Sequence, residues 1–424
     1  MTKPIHSLAL ASAMALAANM GLAEVTLSIS SDNNQQTLDA LNALTAAYTA
    51  AHPDITFEME TRPGGADGDN LVKTGLATGE MTDIFQYNSG SLFQALKPEL
   101  NLADLSDIQS SVIESFQPVV TSPDGVVRGV PFGPAMGGGI YYNIPIYEEL
   151  GLTVPRTWAE FMANNAAIAA AGKVAVIQTY GDTWSSQLFV LADYFNVQAA
   201  APTFAADYTN NAAKYATTPA AMRGFEHLGE VFAAGNMLNP DFAAAKFDDG
   251  VRMVATGEGA HYPMLTFALG NIQQNFPDNV DDVGFFAQPG ESADQNGLTV
   301  WMPAALYVAQ TTENLEEAKA FLAYVASPEG CQVMIEAAGA SGPYLIKDCA
   351  LPTDVPRSVA DMLPYFQTAG LTAPALEFLS PIKGPNLEHL TVEVGSGIRP
   401  AAEAAALYDQ DVEKQAQQLG LPNW

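Results

Sequence analysis

Between residues 25 and 87 the chain alternates two hydrophobic periodicities, and that alternation restricts the fold more than any other property of the sequence. Val25-Thr26-Leu27-Ser28-Ile29-Ser30 sets apolar against polar side chains with a period of two, the pattern of a strand. After a break at Ser31-Asp32-Asn33-Asn34, Leu38, Leu41, Tyr48 and Ala51 recur at helical spacing. They stop at His52-Pro53, because proline disfavours helical backbone at the residue before it. Ile55, Phe57 and Met59 share one face of a second strand, a second helix runs from about Asp69 to Thr78 and is closed by Gly79, and Asp83-Ile84-Phe85-Gln86-Tyr87 forms a third strand. Strands separated by helices predict a parallel, doubly wound sheet, since parallel neighbours need a crossover between them.

The same alternation returns further on. Thr157-Trp158-Ala159-Glu160 is a capping box, in which threonine and glutamate satisfy free amides at a helix start; Gly172 ends that helix before the strand Val174-Ala175-Val176-Ile177. Thr218-Pro219 opens a helix that Gly235 terminates. Asn314 is placed to cap a helix whose Leu315, Ala318, Phe321, Leu322 and Val325 share a face and which Pro328 breaks. Beyond about Ser327 the pattern is almost entirely helical.

The first residues speak for export. Met1 to His6 carry Lys3 and no acid, Leu8 to Leu22 form an Ala-rich apolar run, and Gly21-Leu22-Ala23 ends in small residues, so residues 1–23 read as a cleaved signal peptide. The run is too short and too Ala-rich for a membrane span. The first cysteine is Cys331, so no lipid-anchoring cysteine follows the cut and the expected compartment is the periplasm, with the protein free rather than lipid-anchored. Roughly 400 residues remain, too many for one core and enough for two lobes. Asp and Glu total 47 against 17 Lys and Arg, a net charge of −30, which repels nucleic acid and anionic lipid. With 48% hydrophobic and only 15% charged residues the chain still has the means to form a core. Cys331 and Cys349, the only cysteines, predict a disulfide in an oxidising compartment, with two buried thiols as the alternative.

Two α/β units predict a cleft lined by the loops at the carboxyl ends of their strands: Ser31 to Asn34, Tyr87 to Ser91, Gly133 to Gly139 and Gln178 to Trp184. Their amide, hydroxyl and aromatic side chains suit a sugar, whose hydroxyls bind amides and acids and whose C–H face stacks on Tyr and Trp. Signals for catalysis are weak: no nucleophile elbow or phosphate loop occurs, and His52, His227, His261 and His389 do not fall at metal-ligand spacing. Glu258, Asp248, Asp249, Asp278, Asp281 and Asp282 are the carboxylates a glycosidase would need, but chance clusters are expected among so many acids. Asp67 and Asp69 read as a solvated turn, with a calcium loop the remoter alternative. The expectation is therefore neither an enzyme nor a metal or cofactor protein.

Several stretches together resemble the extracellular solute-binding proteins of the maltose- and oligosaccharide-binding type, from the leader to about Ser341. These are Gly75-Leu76-Ala77-Thr78-Gly79 with Thr82-Asp83-Ile84-Phe85, and Val130-Pro131-Phe132 with Ile140-Tyr141-Tyr142-Asn143. Leu150-Gly151-Leu152 with Pro155 to Phe161, and Asn314 to Leu322 with Ser327-Pro328-Glu329-Gly330, extend the likeness. In the segment Gly257 to Phe267, His261 and Leu265 stand where relatives have Met and Gly, and Phe267 takes the place of a Trp. The resemblance implies a type II fold with lobe one in 24–132 plus 287–327 and lobe two in 133–286 plus 328–424. Crossings are expected near Pro131, Phe286 to Pro289 and Ala326 to Gly330. It also implies a monomer that closes about a sugar or glycoside and delivers it to an ABC permease in the inner membrane. The expected ligand contacts are Ser31, Asp32, Tyr87, Asn88, Met136, Gly137, Tyr180, Trp184, Phe267, Trp301 and Tyr344. A polyamine in the same cleft and a secreted carbohydrate-active enzyme using Glu258 or Asp282 are the competing readings.

Overall fold

A computed structural model describes residues 25–424; the expected signal peptide, 1–23, lies outside the described residues. The strands are β1 (Val25–Asp32), β2 (Ile55–Arg62), β3 (Ile84–Tyr87), β4 (Gly129–Phe132), β5 (Met136–Asn143), β6 (Val174–Val176), β7 (Gly259–Leu265), β8 (Val283–Ala287), β9 (Leu298–Trp301), β10 (Ala304–Val308) and β11 (Thr372–Pro374). They form two sheets. The first has the order β2-β1-β3-β10-β4; the second runs β11-β9-β5-β7-β6, with β8 also paired to β5.

In the first lobe β1 is parallel to β2 and β3, as the alternation predicts, but β10 runs antiparallel between β3 and β4. The second sheet is mixed too: β5 is antiparallel to β7, β8 and β9, while β6–β7 and β9–β11 are parallel. Periodicity marks a strand without giving its direction, so the purely parallel expectation is corrected at the strands where the chain changes lobe. The Thr157–Glu160 capping box forms as read. The second helix starts at Gly65, not near Asp69, because Gly65 adopts a φ of 70° that turns the chain into it. Asp67 and Asp69 thus lie within the helix Gly65–Thr78 rather than in a solvated turn. Asn314 stands at the N-cap of Leu315–Val325 without capping through its side chain.

Each lobe buries its own apolar faces. Leu27, Ile29, Leu41, Leu44, Phe85, Leu306, Phe321 and Leu322 belong to the first core. Tyr142, Trp158, Phe161, Phe189, Phe225 and Tyr408 pack in the second. Two expected boundaries move. Residues 287–301 stay with the second lobe, since β8 and β9 both pair with β5. The helix Pro328–Ala338 and Tyr344 and Ile346 pack in the first core, where Cys331 is bonded to Cys349 with Cα atoms 6.1 Å apart. The chain therefore crosses at 133–135, at Met302-Pro303, and after Ile346, before Val359 and Met362 enter the second lobe. The last eighty residues are less purely helical than their pattern, since β11 adds an edge strand to the second sheet.

Candidate functional site

Strand directions identify the facing edges. β4 is parallel to β3 through their shared partner β10, so β1, β2, β3 and β4 all end at the edge from which the chain leaves for β5. β5 enters the second lobe at Met136, and its antiparallel partners β7 and β9 finish beside that entry, at Leu265 and Trp301. The two edges that bracket the crossings are the walls of the candidate cleft.

On the first wall, Asp32 and Arg62 sit opposite each other at the ends of β1 and β2. Arg62 donates from Nη2 to the Gln86 carbonyl oxygen at 2.6 Å, its carbon Cζ stands 6.0 Å from the centre of the Tyr87 ring, and its buried Nη1 has no partner. Burial lowers the Arg62 pKa, against the pull of Asp32, Tyr87 and Asp69. Asp69 is half-buried, and burial raises its carboxyl above the usual range, opposed by the Tyr87 hydroxyl and by Lys73, Lys383 and Arg62. Tyr87 is 2% exposed; its hydroxyl feels Asp69 but makes no hydrogen bond of normal geometry, and burial followed by that carboxylate pushes its pKa up. A polar group held dry with no partner costs stability, which is the mark of a group kept for something else.

The second wall is aromatic. Trp184, just after the loop that follows β6, and Phe267, just after β7, are half-buried and meet Phe247: Trp184–Phe247 centroids are 5.6 Å apart, Trp184–Phe267 6.1 Å, and Phe247–Phe267 5.4 Å and stacked. Nearer the crossings, Trp301 donates from Nε1 to Glu377, whose other oxygen lies 3.4 Å from Lys383 Nζ. The Trp301 ring lies across Gly138 so closely that a Cβ there would come within 2.2 Å of it. Lys383, from the second lobe, acts on Asp69 of the first, so charges of the two walls face one another. Contact is made at Gly90, where φ is 72° and a Cβ would lie 2.6 Å from the Glu377 carbonyl oxygen.

The expected contact residues separate into two groups. Asp32, Tyr87, Asn88, Met136, Trp184, Phe267 and Trp301 lie on the edges just described; Asn88 is exposed and Met136 half-buried beside Trp301. The others are occupied by the fold. Ser31 is fully buried and donates to the Asp32 carbonyl oxygen. The Gly137 amide donates to the Thr266 hydroxyl and its carbonyl oxygen accepts from the Thr266 amide, and the room of its missing Cβ is taken by Leu298. Tyr180 is wedged against Gly395, and Tyr344 packs in the first core while donating to the Gly339 carbonyl oxygen. Arg62, Asp69, Phe247, Glu377 and Lys383 were missed. Arg62 had a signal, since the carboxyl end of β2 belongs to the same edge as those of β1 and β3.

His261 does not shape the cleft. It is wholly buried within β7, hydrogen-bonded to the Tyr147 hydroxyl at 2.6 Å and to Asn165 at 2.7 Å, and burial lowers its pKa to about 3. Of the acids weighed for catalysis, Glu258 pairs with Arg252, Asp249 accepts from the Lys246 amide, and Asp282 accepts from Asn279. Among the described residues no group of three His, Cys, Asp or Glu is arranged to hold a metal, and no helix is long and apolar enough to cross a membrane.

Residues 32–330 match the family described as bacterial extracellular solute-binding protein. The chain belongs to that family. A multiple sugar-binding protein of Streptococcus mutans is 24% identical over 318 residues, 71% of each chain. Among solved structures, a chitin oligosaccharide binding protein superposes with a TM-score of 0.81 at 20% identity, covering 93% of this chain and 99% of that one. The solute-binding protein RafE in complex with raffinose gives a TM-score of 0.76 at 21% identity, covering 93% and 99%. These likenesses establish the two-lobe type II fold for this extracellular solute-binding protein.

Proposed function

We propose that this solute-binding protein is the periplasmic receptor of an ABC importer and captures a sugar or glycoside between its lobes, without catalysing a reaction on it. The observation that carries this is the contrast between the two edges: the Trp184–Phe247–Phe267 rings belong to one, and hydrogen-bonding groups of Arg62, Asp69 and Tyr87 to the other. Rings take the C–H face of a pyranose while amide, acid and guanidinium groups take its hydroxyls. Arg62, Lys73 and Lys383 stand beside Asp32, Asp69 and Glu377, three cations to three carboxylates, and this balance of charge favours a neutral polyol over a polyamine. The relatives named for sugars, raffinose and chitin oligosaccharides support the ligand class.

Export relies on cleavage of residues 1–23. Capture proceeds by hinge motion at 133–135, Met302-Pro303 and the segment after Ile346, with the closed form stabilised by contacts that need the ligand. A monomer then presents the closed surface to an inner-membrane permease. Calorimetry with mono-, di- and oligosaccharides, with spermidine as control, tests the ligand. The expected result is saturable sugar binding at micromolar or tighter affinity, about 8 kcal/mol or more, with compaction in small-angle scattering. Binding of spermidine alone, no compaction with any bound sugar, or release of reducing ends from aryl glycosides would overturn the reading.

A further inference from the structure

The flank of the second lobe holds a cavity of about 110 Å³ between the helices Tyr194–Ala200 and Pro219–Ala233 and the segment 288–296. That is several times the space one water needs and suits a group of a few heavy atoms. Three side chains at or beside its wall, each 1% exposed, keep polar atoms unused. Asp193 Oδ1 accepts from Asn196 at 2.8 Å and from Gln288 at 3.2 Å, whereas Oδ2 has no donor. Gln288 donates from Nε2 to the Phe189 carbonyl oxygen at 2.8 Å as well, and its Oε1 has no donor. His227 lies flat on Trp158 with ring centroids 3.7 Å apart, and neither ring nitrogen is hydrogen-bonded.

The charges around the cavity do not cancel. Arg223 is shared among Glu226 at 2.6 Å, Glu230 at 3.0 Å and Glu291 at 2.8 Å, so three carboxylates already answer one guanidinium before Asp193 is counted. Burial, then Arg223, holds the His227 pKa well below its usual value, so the imidazole adds no positive charge near neutral pH. Asp193 Oδ2 is a free acceptor once that carboxyl, raised to about 7 by burial, ionises, and it then lies in a field with negative excess; a cation with N–H donors meets both conditions and favours that ionisation.

We propose that this cavity is a second binding site, separate from the interlobe cleft, for a small organic cation whose ammonium or guanidinium N–H groups reach Asp193 Oδ2. All its lining residues belong to the second lobe, so occupancy needs no closure and does not rest on the sugar reading. The test is calorimetry on the whole mature protein, without sugar, using methylammonium, guanidinium and, as a neutral polyol, glycerol. Saturable binding of a cation is expected with a Kd of about 1 mM or tighter. It should weaken at least tenfold in Asp193→Asn and in Ala220→Leu, which fills the cavity from a half-exposed position, and persist in the cleft variant Trp184→Ala. Should Asp193→Asn fail to fold, Ala220→Leu decides alone. No saturation with either cation, glycerol binding as well as they do, or unchanged cation binding in the folded variants would each overturn the proposal.

Discussion

The two lobes share a layered α/β plan but place their polar atoms differently. In the first, Arg62, Asp69 and Tyr87 stand at the cleft edge, the core behind them is closed by the Cys331–Cys349 bond, and the buried Arg128 is fully answered by Asp124, Ser122 and the Leu102 carbonyl oxygen. In the second the wall is built of rings, while ionisable side chains such as Asp193, His227 and His261 lie deep in the interior. The lesson is that a binding edge and a stable lobe are separable: the first lobe carries polarity where a ligand can satisfy it, and the second carries polarity that its own fold must accommodate.

The largest expected effect exploits the buried ionisable groups. Burial lowers the folded pKa of His261 to about 3, so the unfolded chain binds more protons below about 6.5, and stability falls as pH drops from there toward 3 by about 1.4 kcal/mol per unit. Asp193, raised to about 7 by burial, has the opposite sign: the folded state holds the extra proton, and stability declines as pH rises from about 4 to 7. Thermal melts against pH for His261→Gln and Asp193→Asn, each subtracted from the parent, should give slopes of opposite sign. No slope in either difference would mean that these interior groups cost the second lobe nothing, and would remove the contrast between the lobes.

Next comes the staple of the first lobe. Replacing both Cys331 and Cys349 by Ala should cost roughly 3 kcal/mol through the freed 18-residue loop and leave sugar affinity unchanged, because the bond lies in the first core rather than at the cleft. A loss of affinity in a folded variant would tie the staple to the wall.

Trp184→Ala should weaken sugar binding by about 2 kcal/mol, roughly 30-fold, as expected for a central ring in contact with ligand, while the half-exposed position spares the ligand-free melting temperature. An equal loss of stability in the ligand-free protein would make the ring part of the core. The smallest effect tests the polar wall. Tyr87→Phe removes a buried hydroxyl that makes no hydrogen bond in the free protein, so stability should rise by about 1 kcal/mol while sugar affinity falls about three- to tenfold. Unaltered affinity would assign the hydroxyl no role in recognition.

Local signals were legible. The period-two runs at β1 and β2, the proline stop after His52, the Thr157 capping box and the loops at strand ends all act within a few residues, and each formed with boundaries close to those read. The aromatic candidates were not separable in advance, because Tyr180 and Trp184 sit in one loop with similar composition. Only packing shows the first wedged against Gly395 and the second facing Phe247 and Phe267.

The sequence by itself determined that two α/β units form, where most helices start and stop, and which family the chain resembles, since these depend on periodicity, caps and ordered motifs. Tertiary structure alone decided strand direction, the places where the chain crosses between lobes, and the approach of Lys383 to Asp69. Those outcomes depend on contacts between residues hundreds of positions apart, and a side chain's chemistry carries no record of what will be folded against it.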